Sequence, residues 1–194
     1  MKRVTFALGL AGVAAAVVVG VLQTRSSERA TATVARPLSV AEVTRPIADA
    51  PPALRTLRER FNELAGGGAK AFDAQLRALR GHPVVVNLWA SWCDPCRFEL
   101  PFLQRAAVQR GATVAFLGVN VDDSREAALA FGRRYPMPYP SFFDERGRLA
   151  ARLRARGLPA TAFYDKAGRL EIVRQGVFPS ERTLRAALDR YARP

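Results

Sequence analysis

The sequence predicts an α/β domain in which a central mixed β-sheet is flanked by helices, preceded by an apolar amino-terminal segment. From Phe72 onward, short apolar runs alternate with amphipathic segments, which is the pattern of a sheet covered by helices. The chain has 194 residues, of which 49% are hydrophobic, enough for one domain with a sizeable core. These proportions exclude a wholly disordered chain and a membrane protein with several spans.

The apolar and amphipathic runs indicate where the elements of this domain lie. Strands are predicted at 84–90, 113–120, 160–164 and 170–175. Helical spacing predicts helices over about 94–109, 124–135, 146–154 and 180–191. The turn at 165–169 joins the last two strands as a hairpin, with Gly168 supplying a positive φ. The order is therefore β-α-β in the amino half of the domain and β-β-α in the carboxyl half.

Residues 1–22 are predicted to be a membrane anchor. Lys2 and Arg3 precede an uncharged run over residues 4–22. A helix of that length spans about 30 Å, which is enough to cross the hydrocarbon of a bilayer once. The alternative is a secretory signal that is removed, with a weak cleavage pattern at 30–35. In both cases the remainder of the chain is exported.

A tether is predicted over 23–70, between the anchor and a domain spanning 71–194. Its first part is rich in Ala, Thr, Ser, Arg and Pro and has no sustained apolar period. A short amphipathic helix is expected over 53–65, before a flexible run of three glycines, on the apolar positions Leu54, Leu57, Phe61 and Leu64.

The charge balance is strongly basic. The chain carries 30 Lys and Arg against 17 Asp and Glu, a formal net charge of +13. The cations are scattered among candidate helices, whereas nucleic-acid binding favours a basic stripe interleaved with aromatic residues. No nucleic acid is therefore expected as a partner, and a basic surface compatible with anionic lipid head groups is the simpler interpretation.

The two cysteines of the chain, Cys93 and Cys96, form one CxxC motif. Two thiols are too few for a disulfide scaffold or a four-thiolate zinc site, and the single histidine, His82, adds one nitrogen ligand at most. A purely structural disulfide across two residues closes a very short loop and gains little chain entropy. The motif therefore predicts redox chemistry, with no metal site and no cofactor.

The CxxC motif lies between a predicted buried strand and the start of a helix. The unpaired N–H groups and the dipole of a helix start stabilise the thiolate of Cys93. Cys96 lies one turn further on, where burial keeps it less reactive until it attacks a mixed disulfide formed at Cys93. Cys93 is thus predicted to be the attacking thiol and Cys96 the resolving thiol. Pro95 suits the first helical turn, and Asp94 is either a helix-start residue or, with Pro95, tunes the redox potential.

Two segments resemble the thioredoxin-fold, membrane-anchored reductases of the TlpA, ResA and CcmG type, namely VVVNLWASWCDPCRFELPFL and YPSFFDERGRLAARLRARGLPATAFYDKAGRL. The resemblance covers about residues 72–192. It implies a thioredoxin-like fold and protein-disulfide reductase activity on the periplasmic side of a bacterial cytoplasmic membrane. It also suggests exported disulfide-containing substrates, such as apocytochrome c or a copper-site protein, and a transmembrane thiol reductase as electron donor.

Three further residues, Trp92, Leu158 and Pro159, are expected to bind the substrate, on the basis of the resemblance or of their position in the sequence. The resemblance makes Pro159 a cis-proline facing the CxxC, and it makes Leu158 a residue whose backbone binds an extended substrate segment. An ordinary trans proline that opens a strand is the alternative for Pro159. Trp92 precedes Cys93 at an exposed corner and is expected at the rim of the site.

Proton transfer is expected to fall to Glu99, which lies three residues after Cys96 on the same helix face. A partly buried carboxyl there could exchange a proton with Cys96, as the resemblance also implies, whereas the alternative is a solvated helix carboxylate. Asn87 stands where thioredoxin has a buried acid. Because an amide cannot titrate, Asn87 is expected to be a buried hydrogen-bonding residue that tunes the site.

Other functions of the same motif stay open at this point. The reverse reaction would make the protein an oxidant that installs disulfides, since the direction depends on the dithiol potential. A copper-handling module could hold Cu(I) between Cys93 and Cys96 without turnover, because soft thiolates suit that ion. A peroxidase is a weaker third alternative on this fold.

Overall fold

A six-stranded mixed sheet organises the part of the chain that this computed structural model describes, residues 35–194. The strands are β1 (Leu64–Ala65), β2 (Val84–Trp89), β3 (Ala115–Val121), β4 (Ser141–Asp144), β5 (Ala160–Tyr164) and β6 (Leu170–Gln175). The helices are α1 (Val40–Val43), α2 (Pro52–Glu59), α3 (Gly68–Ala78), α4 (Asp94–Arg110), α5 (Arg125–Arg134), α6 (Arg148–Arg152) and α7 (Glu181–Tyr191). Across the sheet the strand order is β1-β4-β3-β2-β5-β6.

Strand β2 lies in the middle of the sheet and is buried along its whole length. It pairs parallel with β3 on one side and antiparallel with β5 on the other, where Leu88 lies opposite Ala160. The crossover from β2 to β3 runs through α4, as a parallel pair requires. The carboxyl end of β2, where α4 begins, therefore lies beside the amino end of β5. This edge of the sheet is where the CxxC motif is placed.

The predicted β-α-β and β-β-α halves are both present in the structure. Strands β5 and β6 have the predicted bounds, and Gly168 has a φ of 78° in the turn that joins them. The other predicted elements are present with ends that differ by one or two residues. Local apolar runs and periods were sufficient here because most of these elements are buried either along their whole length, as β2, β3 and β5 are, or on one side.

Four elements were not predicted, namely α1, β1, α3 and β4. The expected helix over 53–65 ends at Glu59, and its last two residues instead form β1, which pairs parallel with β4. Strand β1 lies at the edge of the sheet and β4 lies beside it. They are two and four residues long, too short to show an alternating pattern. The glycine run is no simple linker either, since Gly67 adopts a φ of 84° and caps the unpredicted helix α3.

The compact unit begins at Arg36, so the structure differs from the expected domain start at residue 71. Leu54 and Leu57 of α2 belong to the hydrophobic core, together with Val84 and Val86 of β2. The spacing of apolar residues in α2 correctly indicated an amphipathic helix. That spacing does not show which part of the protein the apolar stripe packs against, which here is the core of the domain. Residues 36–70 are therefore an integral part of the domain.

The predicted anchor over 1–22 lies outside the described residues, as does the first part of the predicted tether. Between residues 35 and 194, no helix combines the length and the apolar character needed to cross a membrane.

The packing of α2 predicts a large effect of a mutation inside the expected tether. Replacing Leu54, which is 1% exposed, with alanine should lower the free energy of unfolding by about 2–5 kcal/mol, because it leaves a cavity in the core. Urea denaturation of the full chain measures this change. Val40→Ala is the control, because Val40 is 53% exposed and should cost little. Equal small effects of both substitutions would show that α2 is not part of the core.

Candidate active site

The two cysteines form a disulfide at the start of α4. Cys93 is the residue before the first helical turn, and the backbone N–H of Cys96 donates to its Sγ atom at 3.2 Å. The Cα atoms of the pair are 5.3 Å apart. Both residues are 3% exposed, so the expected difference in burial between the attacking and the resolving sulfur is absent in this disulfide-bonded form.

The loop before Cys93 is held by a carboxylate that the sequence did not single out. Asp123, just beyond the end of β3, accepts hydrogen bonds from the N–H of Ser91 at 2.7 Å and from its hydroxyl at 2.8 Å. It also accepts from the Asn120 amide and from the N–H of Ser124, both at 2.9 Å. Strands β2 and β3 are parallel neighbours, so their carboxyl ends meet. A polar residue after β3 was therefore a detectable candidate for contact with this loop.

Trp92 projects from the same loop and is 60% exposed. Its indole N–H donates to the backbone oxygen of Asp122 at 2.9 Å, which fixes the plane of the ring at the rim of the site. The tryptophan thus presents an apolar surface to solvent directly beside the disulfide.

Glu99 is completely buried, which excludes the alternative of a solvated helix carboxylate. One carboxylate oxygen accepts from the side-chain amide of Asn87 at 3.2 Å, and the other accepts from the N–H of Phe178 at 2.8 Å. Burial raises the pKa of Glu99 to about 7, against the opposing effect of these two hydrogen bonds and of the charge of Arg174. The carboxyl is therefore partly protonated and partly ionised near neutral pH.

Three residues around Glu99 come from distant parts of the chain and were not predicted. The guanidinium of Arg174, on β6, lies 4.6 Å from the centre of the Phe178 ring. Tyr139 is 1% exposed, and burial together with the charge of Glu99 raises the pKa of its hydroxyl. No local pattern marks these contacts, because each depends on how β6 and the loops pack against α4.

The bond between Leu158 and Pro159 is cis. Pro159 precedes Ala160, which lies opposite Leu88, so the proline is at the edge of the sheet from which the CxxC loop departs. The N–H of Gly176 donates to the Pro159 oxygen at 2.9 Å. Within residues 35–194, the backbone N–H and C=O of Leu158 have no hydrogen-bond partner. This segment therefore offers free main-chain groups beside the disulfide.

The two residues between the cysteines occupy the first turn of α4. Asp94 has an 83% exposed side chain and lies 3.0 Å from Arg97 in an i,i+3 ion pair. Pro95 lies in the first turn, where backbone N–H groups have no partner within the helix, so the lack of an N–H in proline costs no hydrogen bond. Both positions suit a helix start, and a role in tuning the redox potential stays a prediction.

The described residues contain no cluster of three or more His, Cys, Asp or Glu side chains arranged to hold a metal ion.

A CxxC at the start of a helix, a central mixed sheet and a cis-proline at the same sheet edge define a thioredoxin-like protein. Residues 58–173 match the AhpC/TSA family, and the chain belongs to this family.

The similar curated proteins carry thiol-disulfide names. The chain is 41% identical over 91 residues to the thiol:disulfide interchange protein DsbE of Pseudomonas fluorescens biotype C, covering 46% of this chain and 49% of that protein. It is 30% identical over 109 residues to the thiol-disulfide oxidoreductase ResA of Oceanobacillus iheyensis, covering 56% of this chain and 57% of that protein. The chain thus spans about half the length of the curated relatives it matches.

Solved structures confirm the thioredoxin-like fold. A secreted Mycobacterium tuberculosis disulfide oxidoreductase, homologous to Escherichia coli DsbE, matches with a TM-score of 0.53 and 26% identity over 59% of this chain and 85% of its own. A DsbF homologue from Corynebacterium diphtheriae matches with a TM-score of 0.52 and 30% identity over 59% of this chain and 75% of its own.

The buried carboxyl predicts how stability depends on pH. Because the pKa of Glu99 is raised from 4.5 in the unfolded chain to about 7 in the folded chain, the unfolded state loses this proton first as the pH rises. The free energy of unfolding should therefore fall between about pH 5 and pH 7, by about 3 kcal/mol at most. Glu99→Gln should flatten this slope in urea denaturation, whereas Glu59→Gln, at an exposed position of α2, should keep it. An unchanged slope in Glu99→Gln would contradict the assignment.

The contacts of Asp123 predict a local effect on the CxxC loop. Asp123→Asn replaces one acceptor oxygen with a donor nitrogen, so at least one of the two backbone N–H bonds, from Ser91 or from Ser124, is lost, at a cost of about 1–3 kcal/mol. Hydrogen exchange of the Ser91 amide or of the Ser124 amide should become faster. The matched control is Asp122→Asn, because the carboxylate of Asp122 is exposed and takes no hydrogen bond within the described part of the chain. Equal exchange in both variants would show that Asp123 does not hold the loop.

Proposed function

We propose that this protein is a thiol:disulfide oxidoreductase that reduces disulfides of exported proteins by dithiol exchange at Cys93 and Cys96. The observation that carries this proposal is the disulfide at the start of α4 with the buried carboxyl of Glu99 on the same helix. The names of the DsbE and ResA relatives support the same chemistry.

The first step begins from the reduced dithiol. The Cys93 thiolate, stabilised by the N–H groups of the first turn of α4, attacks one sulfur of the substrate disulfide. The substrate S–S bond breaks as the new bond to Cys93 forms, and the first substrate sulfur leaves as a thiolate. A mixed disulfide between Cys93 and the substrate results.

In the second step, Cys96 loses its proton and attacks the Cys93 sulfur. The mixed disulfide breaks, the second substrate thiolate leaves, and the bond between Cys93 and Cys96 forms again. Two electrons have then passed from the protein to the substrate. Glu99 accepts the Cys96 proton in this scheme, since a carboxyl whose pKa is about 7 is partly ionised at neutral pH. A dithiol donor must return two electrons before the next turnover.

The rim residues hold the substrate in this scheme. An extended segment lies along Leu158, whose backbone N–H and C=O are free within the described residues, and the segment ends at the disulfide beside Pro159. Trp92, which is exposed at the rim, offers an apolar surface to the same substrate. Asn87, which donates to Glu99 at 3.2 Å, stabilises the ionised carboxylate.

The partners follow from the chemistry and from the amino-terminal run. Residues 4–22 would anchor the chain once in the bacterial cytoplasmic membrane, with the domain on the periplasmic side, unless the segment is cleaved and the domain secreted. Apocytochrome c is a candidate substrate, and a transmembrane thiol reductase is the candidate electron donor.

Trapping tests the order of attack. In Cys96→Ala the resolving sulfur is missing, so a mixed disulfide with the substrate should accumulate on Cys93. It should appear as a larger band in non-reducing electrophoresis and disappear when a reductant is added. Glu99→Gln should instead slow the release step by about tenfold or more, most clearly near pH 7, because its amide cannot accept a proton. A disulfide-containing protein such as insulin serves as substrate.

Cys93→Ala is the control for this experiment and should trap nothing. A covalent product in Cys93→Ala and none in Cys96→Ala would reverse the assignment of the two sulfurs. The dithiol potential decides the direction, since a value near about −270 mV supports a reductase and one near about −120 mV an oxidant.

A further inference from the structure

The segment that leads into the cis-proline is fixed by one side chain of the neighbouring strand. Gln175, at the end of β6, accepts from the N–H of Arg156 at 2.9 Å and donates to the C=O of Arg154 at 3.2 Å. Arg154 has a φ of 56°, a conformation uncommon for residues other than glycine. The backbone of residues 154–156 is thus held in a defined shape directly before Leu158.

One side of this segment is open. A Cβ atom added at Gly157 would meet no heavy atom within 4 Å. Leu158 next to it has the free main-chain groups described above, so a polypeptide could approach the backbone here without displacing any protein contact. Because the segment ends at Pro159, a polypeptide bound along it would reach the sheet edge that carries Cys93.

Two arginines flank this open segment with their charges uncompensated. Arg154 and Arg156 are both exposed, and within residues 36–194 neither forms an ion pair. The preceding arginine differs, since Arg152 forms a bidentate pair with Asp73. The segment beside Leu158 therefore carries two cations that are free to bind a partner.

The other side of the disulfide has a different charge. Asp122 is exposed and its backbone oxygen holds the Trp92 indole, while Asp94 is paired with Arg97. The two sides of the site thus differ in charge. Before Leu158, Arg154 and Arg156 carry positive charge without an ion-pair partner in the described part of the chain, whereas the side near Trp92 carries the negative charge of Asp122. This asymmetry gives a bound segment a preferred direction.

We propose that Arg154 and Arg156 select substrate segments that carry acidic residues next to the reacting cysteine, on the side that lies along Leu158. The inference rests on the proposed function and names its substrate class. Guanidinium groups pair well with carboxylates, and uncompensated charge at a rim raises the association rate of oppositely charged partners. In an extended substrate segment alternate side chains point the same way, so two acidic residues at alternate positions present both carboxylates to the face that lies along this basic segment.

Three disulfide peptides of one length test this preference, with Glu, Gln or Lys at two alternate positions beside one cysteine. The full chain, reduced and kept in mild detergent because of its apolar amino-terminal run, is mixed with each peptide, and the second-order rate constant of reduction is measured. The Glu peptide should react about five- to tenfold faster than the Lys peptide at low ionic strength, with the Gln peptide between them. At 0.5 M salt the difference should shrink to about twofold or less.

Variants assign this preference to the two arginines. In Arg154→Gln/Arg156→Gln the difference between the Glu and Lys peptides should disappear, while Arg154→Lys/Arg156→Lys should keep part of it. The matched control is Arg190→Gln/Arg193→Gln, which removes the same charge beside Pro83, at the opposite end of β2. This control should keep the full preference.

The outcomes separate this inference from the proposed function. Hydroxyethyl disulfide is uncharged and reports the basal exchange reaction. If neither it nor any peptide is reduced, the proposed function fails and this inference with it. If the Gln peptide is reduced but the Glu and Lys peptides react equally fast, or if the control variant loses the preference as the Arg154→Gln/Arg156→Gln variant does, only the selection by these arginines is overturned.

Discussion

A buried carboxylate with two hydrogen bonds holds together the three parts of the chain that surround the disulfide. Glu99 lies on α4, Asn87 on β2, and Phe178 in the segment between β6 and α7. A charged group without partners would be very costly at this depth, so the ionised form of Glu99 depends on both donors. The same helix carries Cys93 and Cys96 at its start. The hydrogen bonds of Glu99 to Asn87 and Phe178 therefore tie the helix that carries the sulfurs to the sheet and to the segment after β6.

The amino-terminal part of the domain supports the same helix from its outer side. Gln104 of α4 is buried, accepts from the N–H of Leu38 at 2.9 Å and donates to the C=O of Pro136 at 2.7 Å. Arg58 of α2 donates to Ala107 near the carboxyl end of α4. Removing residues 36–70 would thus take away these partners of α4, which explains why this segment folds with the domain.

The sequence predicted those features that depend on neighbouring residues. The helix start at Cys93, the i,i+3 position of Glu99 and the strands on both sides of the 165–169 turn are all visible in short windows. The cis conformation of Pro159 was predicted from the resemblance of two segments to a known family. Its register beside β2 in the structure then places it at the site. Strands β1 and β4 were not predicted, because strands of two and four residues are too short to show a period.

The contacts that complete the site could not be predicted in this way. The N–H of Phe178 bonds to a carboxylate 79 positions away, and Gln175 bonds to backbone groups 19 and 21 positions away. Asp123 bonds to Ser91 across 32 positions. Hydrophobic periodicity reports which face of an element is buried, but it contains no information on which polar groups meet between elements. Only the parallel pairing of β2 and β3 offered an indirect signal, for Asp123.

The raised pKa of Glu99 links the stability of the domain to its proposed chemistry. A glutamine at this position would stay neutral and would avoid the loss of stability that an ionised, buried carboxyl causes above its unfolded pKa. It could not take a proton from Cys96, however, or return one when a donor reduces the disulfide. A carboxyl that titrates near 7 can do both within one catalytic cycle. In the proposed mechanism, the stability cost of a buried carboxyl at residue 99 thus accompanies a proton that moves at neutral pH, as is common for titratable groups in active sites.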